Sequence, residues 1–327
     1  MVSPGENADL HSDPDTLRFV LGNAAVQGKW RGLNIIHSVS LGPVHLHHLK
    51  LADAKFASNM DAPRKKGDFT PEFNFYIVMV VKGNISVQTG TSFFSFSPNT
   101  IFGIRSWAPF ALNSGADAEL VIAQLPAWFA ILEVLGESSS VDDHVIPANF
   151  FCAPAILALS LKLMEQEIPS DVGQSYFAIV ASMLMKSFEL NLASAKTFPK
   201  PMGRMGRLLT IILKNFHEEG FSPRIAASEL RCSVRTIHSL CAEHNTTFSN
   251  LLMDTRLRIA ANNIINSKQR ISDVAFSSGF VSFSHFCRAF KDYFGMSAGR
   301  YRAEGGRDAS RLDADPAGIV PQAKREP

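Results

Sequence analysis

Cysteine is scarce, and its few copies are scattered. Cys152, Cys232, Cys241 and Cys287 form no CxxC pair and no dense framework, so a disulfide-stapled extracellular fold is not expected and a reducing cytosol is the simplest setting. Long apolar runs are missing too. The most apolar helical candidate, Phe150 to Met164, is interrupted by Lys162, and no uncharged stretch reaches the about 18 residues that a membrane span needs. The N-terminal MVSPGENADLHSDPD has no basic start followed by an apolar run, which argues against export. Catalytic signatures are absent as well: there is no Ser-His-Asp pattern, Walker loop, dinucleotide fingerprint or H-E-x-x-H. A cytoplasmic, membrane-free protein without catalysis or cofactor is the expectation.

A large charge imbalance is lacking over the whole chain, whose formal net charge is +2, but the charge is unevenly placed. Residues 200–302 carry 15 Lys/Arg against 7 Asp/Glu, whereas residues 1–199 carry 13 against 18. A basic C-terminal third suits nucleic acid, although a solvated surface gives the same balance. At 327 residues and 46% hydrophobic content, the chain can build two packed domains.

The basic region contains the most informative stretch, Ile271 to Arg302. Ile271, Val274 and Ala275 fall at helical spacing, with Ser272 and Asp273 placed to start a short helix. Ser278-Gly279-Phe280 ends it, with Gly279 supplying the positive φ of a tight turn. A second helix follows from about Ser282 to Tyr293. Phe283, Phe286, Phe290 and Phe294 recur at three and four and should bury one side, which leaves Ser282, Ser284, His285, Arg288 and Lys291 for other faces. Such a face suits a DNA major groove. Arg288 can donate two bonds to a guanine, the hydroxyls and the imidazole adapt to other base edges, and Lys291 suits phosphate.

Ile271, Val274-Ala275, Gly279-Phe280, Ser282, Phe286, Arg288, Phe290-Lys291, Phe294-Gly295, Ser297 and Tyr301-Arg302 together resemble the second helix-turn-helix of AraC/XylS-type transcription regulators. Ala298 stands where that pattern usually has proline. The stretch before it resembles the first helix-turn-helix of the same family. Leu208 to His217 opens it and Gly220 closes that helix. Ser222-Pro223 starts a helix with Ile225, Ala226 and Leu230 inside, and Ser233 caps a second, Val234 to about His244, exposing Arg235, His238 and Ser239. Ser239 stands where an Arg is common and Cys241 where a Phe is common, so a weaker first reader is expected. The two units are self-similar, Ala227, Ile237 and Cys241 echoing Ala275, Phe286 and Phe290, with a turn one residue longer in the second. A long helix from Phe248 to Ser267 joins them, so that two recognition helices on one chain can enter successive major grooves about 34 Å apart.

Upstream, from Gly32 to about Leu125, the pattern is that of strands. Phe73, Phe75, Ile77, Met79 and Val81 alternate along one, and Lys82-Gly83-Asn84 turns the chain into Ile85, Val87 and Thr89, which reads as a hairpin. Short β-rich runs at Ser92–Ser97, Thr100–Trp107 and Glu119–Gln124 complete a small antiparallel barrel or double sheet. The landmarks Lys82-Gly83, the Phe96-to-Pro98 turn and Leu125-Pro126 resemble the cupin-like sensor of one AraC/XylS branch, which implies a small-molecule effector pocket. Phe93, Phe94, Phe96, Phe102, Trp107 and Phe110 suit an aromatic effector or are plain core; Arg105 anchors a carboxylate if it points inward. Phe75, Phe96, Arg105 and Trp107 are the candidate ligand residues. His45 and His47 share one strand face and His48 the other, a pattern that fits a metal or simply a polar face. Residues 73 to 110 add no further histidine, so no metal is expected.

The expected fold is therefore α+β: a cupin-like antiparallel barrel or double sheet with accessory helices, then an all-helical domain with two helix-turn-helix motifs. The expected divisions are a disordered 1–15, a sensor and dimerisation domain over 16–192, a linker over 193–205 (ASAKTFPKPMGRM), a DNA-binding domain over 206–303 and a disordered tail over 304–327. Leu17 to Gly28 suits a short helix. Helices are expected from Trp128 to Leu135, Phe150 to Glu167 and Val172 to Leu192. The wide apolar stripe of Phe177, Val180, Leu184 and Phe188 on the last suits a homodimer contact or a cover for the barrel. The resemblance implies double-stranded DNA, an effector and RNA polymerase as partners, with activation the usual outcome. A cupin-like metalloenzyme carrying a vestigial helical domain is the alternative.

Overall fold

The computed structural model describes residues 24–26, 32–41, 44–58, 73–89, 92–130, 145–165, 180, 183 and 203–305. The chain divides into two compact units, Met1–Thr255 and Arg256–Pro327. The first holds two antiparallel sheets and the first helix-turn-helix, and the second holds the other helix-turn-helix.

Eleven strands are described: β1 (Ala24–Val26), β2 (Gly32–Leu41), β3 (Val44–Ala52), β4 (Lys55–Ser58), β5 (Asn74–Lys82), β6 (Ile85–Thr89), β7 (Ser92–Phe96), β8 (Ile101–Arg105), β9 (Phe110–Ser114), β10 (Ala118–Pro126) and β11 (Val145–Ile146). They form a five-stranded sheet ordered β1-β4-β9-β6-β7 and a six-stranded sheet ordered β11-β8-β5-β10-β3-β2. One core cluster draws on both, from Leu49, Val78, Phe102 and Ile122 of the larger sheet to Phe56, Val87, Phe96 and Leu112 of the smaller. Strand β5 is buried over seven consecutive residues, Asn74 to Val80, because Tyr76, Val78 and Val80 face this core while Phe75, Ile77 and Met79 face the other way. Helix α2 (Ala153–Glu165) lies against β2, β3 and β10, covering the outer face.

Two local expectations are corrected. Ala24 to Val26 is a strand paired with β4, not part of a helix; the rest of 17–28 lies outside the described residues. Lys82-Gly83-Asn84 does not close a hairpin. Strand β5 pairs with β8 and β10, whereas β6 pairs with β7 and β9, so the turn carries the chain from one sheet to the other. Gly83 sits at φ 76°, and a Cβ there would lie 2.5 Å from the Asp117 carbonyl oxygen. Alternation along β5 signals a strand but carries no information about its partner.

After the short helix α1 (Ala127–Phe129) and α2, the helical part comprises α3 (Arg204–Asn215), α4 (Pro223–Glu229), α5 (Val234–Glu243), α6 (Phe248–Asn266), α7 (Ile271–Ser277), α8 (Phe283–Phe294) and α9 (Ala298–Ala303). The opening helix ends at Asn215, ahead of Gly220. The expected extension of α1 to Leu135 and the Val172–Leu192 helix lie outside the described residues, apart from Val180 and Met183, which are helical. The N-terminal segment 1–15, most of the linker and most of the C-terminal tail also lie outside them. Among the described residues, no helix is long and apolar enough to cross a membrane.

Candidate nucleic-acid interface

Each helix-turn-helix is built by the same local chemistry. In the first, the turn after α4 closes with Cys232 N–H donating to the Ala227 carbonyl at 2.9 Å; in the second, Phe280 N–H donates to the Ala275 carbonyl at 3.2 Å. A left-handed residue makes each turn: Gly279 at φ 82°, and Arg231 at φ 54°. Serine caps then start both recognition helices. The Ser233 hydroxyl accepts from the Thr236 N–H at 3.1 Å, and the Ser282 hydroxyl accepts from the His285 N–H at 3.4 Å. Ser282 thus acts first as a cap. The Arg270 backbone, not Ser272, occupies the cap position of α7, and Ser272 instead donates to Asp273 at 3.2 Å.

The aromatic residues orient α8. Phe286, Phe290 and Phe294 are buried, with Phe286 edge-on to Phe280 at 5.1 Å and Phe290 edge-on to Tyr301 at 5.4 Å. Phe283 departs from the expected stripe: it is 40% exposed, because at the first turn of α8 there is no preceding turn to cover it. Ser284, His285, Arg288 and Lys291 are exposed. Ser284, Arg288 and Lys291, spaced four and three apart, share one face. Helix α9 starts at the Ser297 cap, which accepts from Arg300 N–H at 3.3 Å, so Ala298 serves in the first position where the pattern it resembles favours proline. Arg302 then donates to the carbonyls of Ile264 and Gln269, both at 2.8 Å, fastening α9 to the end of α6.

On α5, Arg235, His238 and Ser239 are likewise exposed, while Ile237, Leu240 and Cys241 are buried. Ser239 donates to Glu243 at 3.5 Å. Burial pushes the Cys241 thiol up to about 11, which makes it a packing residue and not a reactive thiolate. The C-cap His244 meets the β-sheet part of the same unit. Its Nδ1 faces the Leu240 carbonyl and its Nε2 the Trp107 carbonyl, both at 3.1 Å, and its ring lies 5.9 Å from that of Phe73. A neutral imidazole carries one N–H and can donate to only one of these carbonyls. This contact escaped sequence reading because His244 and Trp107 are 137 residues apart.

The candidate ligand residues are dispersed. Phe96 belongs to the core cluster between the sheets. Phe75 and Arg105 pair across β5 and β8 on the opposite face, since Phe102 and Ile104 point into the core; the Phe75 ring lies over Gly103. Trp107 is buried in the turn after β8, 6.2 Å from Phe73. Of the neighbouring aromatics, Phe102 and Phe110 join the core cluster, whereas Phe93 and Phe94 are exposed. The inner layer does have a polar end, unnoticed in the sequence: by alternation, His45, His47, Tyr76 and Gln124 follow the inward residues Leu49, Val78 and Ile122. His47 is 1% exposed, with its Nδ1 2.7 Å from the Ser38 hydroxyl. Burial pulls its pKa from 6.5 to about 4, against an opposing pull from Gln124. His48 points the other way, 3.8 Å from Glu119. Among the described residues, no three His, Cys, Asp or Glu gather as a metal site.

Residues 226–304 match a helix-turn-helix domain family. The transcriptional activator NphR of Rhodococcus sp is 23% identical over 243 residues, which cover 72% of each chain. The HTH-type transcriptional regulator GadX of Escherichia coli K12 is 34% identical over 116 residues, 36% of this chain and 42% of GadX. In three dimensions the chain is similar to the AraC-like transcriptional activator CuxR, with a TM-score of 0.51 at 14% identity, over 80% of this chain and 94% of CuxR.

Proposed function

We propose that this chain is an AraC/XylS-type DNA-binding transcription regulator, a reading supported by its match to a helix-turn-helix domain family and its likeness to NphR and GadX, that it reads two major-groove motifs about one helical turn apart, and that it is controlled by a small effector held between its sheets. The observation that carries the DNA reading is the pair of serine-capped helices, α5 and α8, each buried on one side and polar on the other. Arg288 is the principal base contact, Lys291 meets phosphate, and Arg235, His238, Ser239, Ser282, Ser284 and His285 complete the two reading faces.

For the effector, the polar end of the inner layer supports a compact ligand with an apolar or aromatic body, oriented by hydrogen bonds from His47, Tyr76 and Gln124 and packed near Phe96. This set replaces Phe75 and Arg105 as the anchor, because those two face away from the core. The His244–Trp107 contact is the route by which sensor occupancy reaches the first reader. The regulator works in the cytoplasm as a homodimer and activates transcription through RNA polymerase; NphR, named an activator, supports the last step.

Selection of genomic DNA fragments by the purified full-length protein, at one fixed and stated salt concentration, tests this reading. The expected result is enrichment of sites with two short motifs about 10 base pairs apart. No enrichment, with or without a metabolite extract, sinks it. A stoichiometric metal ion in the purified protein would instead favour a metalloenzyme.

A further inference from the structure

The caps allow the two readers to be aligned step by step. With Ser233 matched to Ser282, Val234 falls on Phe283, Arg235 on Ser284, Ile237 on Phe286, Ser239 on Arg288 and Cys241 on Phe290. The buried Ile237 and Cys241 fall on the buried Phe286 and Phe290, while the buried Leu240 falls on the half-buried Ala289. At the first helical position, however, both readers expose an apolar side chain, Val234 at 38% and Phe283 at 40%. The second reader adds Val281, the extra residue of its longer turn, at 68%.

We infer that Val234 in the first reader, and Phe283 with Val281 in the second, are specificity residues that recognise the 5-methyl group of thymine. This inference rests on the DNA-binding reading. The N-terminal residues of a recognition helix are the ones that meet base edges, and the thymine methyl is the apolar feature of the major-groove surface. Exposed Phe and Val so close to Ser284 and Arg288 gain nothing in water but lose water against a methyl. Recurrence is the stronger argument. A patch for docking another protein has no reason to appear at the same step of both readers, whereas base reading repeats whenever the reader does. The other exposed apolar residues there lack this property: Ile225 on α4 matches Asp273, and Phe276 on α7 matches Ser228, when Ala227 and Ala275 are aligned.

The test replaces each thymine of a selected operator, one at a time, by deoxyuridine, which removes the methyl and keeps the base pair. Wild-type protein is expected to lose about fourfold in affinity at one or more thymines in each half-motif, the magnitude of one buried methyl. Val281→Ser and Phe283→Ser combined should abolish that loss in the second half-motif alone, and Val234→Ser in the first. Deoxyuridine tolerated at every position by the wild-type protein overturns the inference, and this arm needs no variant to fold. So does a protein carrying both Val281→Ser and Phe283→Ser that keeps the full methyl dependence. If the wild-type protein selects no operator at all, the DNA-binding reading itself has failed; selection without methyl dependence removes only the present inference.

Discussion

At the scale of single residues, exposure and chemistry separate the side chains proposed to touch DNA from those that hold the helices together. Arg288 and Lys291 share a face of α8 but should differ in kind. Arg288→Ala is expected to cost about 1–3 kcal/mol at the selected operator and to relax preference at one base pair. Lys291→Ala should weaken all sequences alike and lower the slope of log affinity against log salt by about one. Binding titrations at several salt concentrations distinguish the two. His47 makes a separate prediction. Its folded pKa, about 4, lies below its ordinary 6.5, so the unfolded chain takes up the proton first. Its contribution is complete above about pH 6.5 and is lost as pH falls toward 4, by roughly 3 kcal/mol. Denaturant unfolding of the full chain across that range should show the decline, and His47→Gln should flatten it. Identical profiles for the two proteins would falsify this role.

At the scale of elements, each reader depends on contacts that fix a short helix which could not persist alone. Helix α9 has six residues and is held by Tyr301 against Phe290 and by Arg302 on two carbonyls. Arg302→Ala is expected to destabilise by about 1–3 kcal/mol, since charge-assisted bonds are lost and two carbonyls need new partners. Urea unfolding measures it, and Arg302→Lys should restore only part, because an ammonium lacks the planar fork. Most of this layer was legible in the sequence. Ser233 caps its helix and Gly279 takes positive φ as the sequence suggests, and the phenylalanine spacing marks the buried face of α8, because these signals are local; Ser222, expected as a cap, makes no capping bond, whereas Ser282 and Ser297 do. Phe283 followed the same spacing yet stays exposed. Periodicity assigns a face but cannot tell that the first turn overhangs its support.

At the scale of the whole molecule, the sheets and the first helix-turn-helix meet within one compact unit, where His244 joins Trp107 across 137 residues of chain. Replacing it by Ala should speed amide exchange in α5 and around Trp107 by about fivefold, corresponding to roughly 1 kcal/mol of lost hydrogen bonding. Operator affinity should change far less, since His244 lies at the C-terminal end of α5, away from its reading face. Unchanged exchange in both segments would remove His244 from the proposed signalling route.

The amino-acid sequence alone determined the α+β class, the two helix-turn-helix architecture and which polar residues of α5 and α8 stay exposed. Capping, turn and periodicity signals act within about one helical turn, so they survive in one dimension. Only the tertiary structure decided what depends on partners distant in the chain. It sent β5 and β6 into different sheets, turned Phe75 and Arg105 away from the core, gathered His47, Tyr76 and Gln124 at one polar end, and joined His244 to Trp107. Strand alternation defines two faces without saying which is the inner one, and a hydrogen bond between remote residues leaves no trace in local spacing.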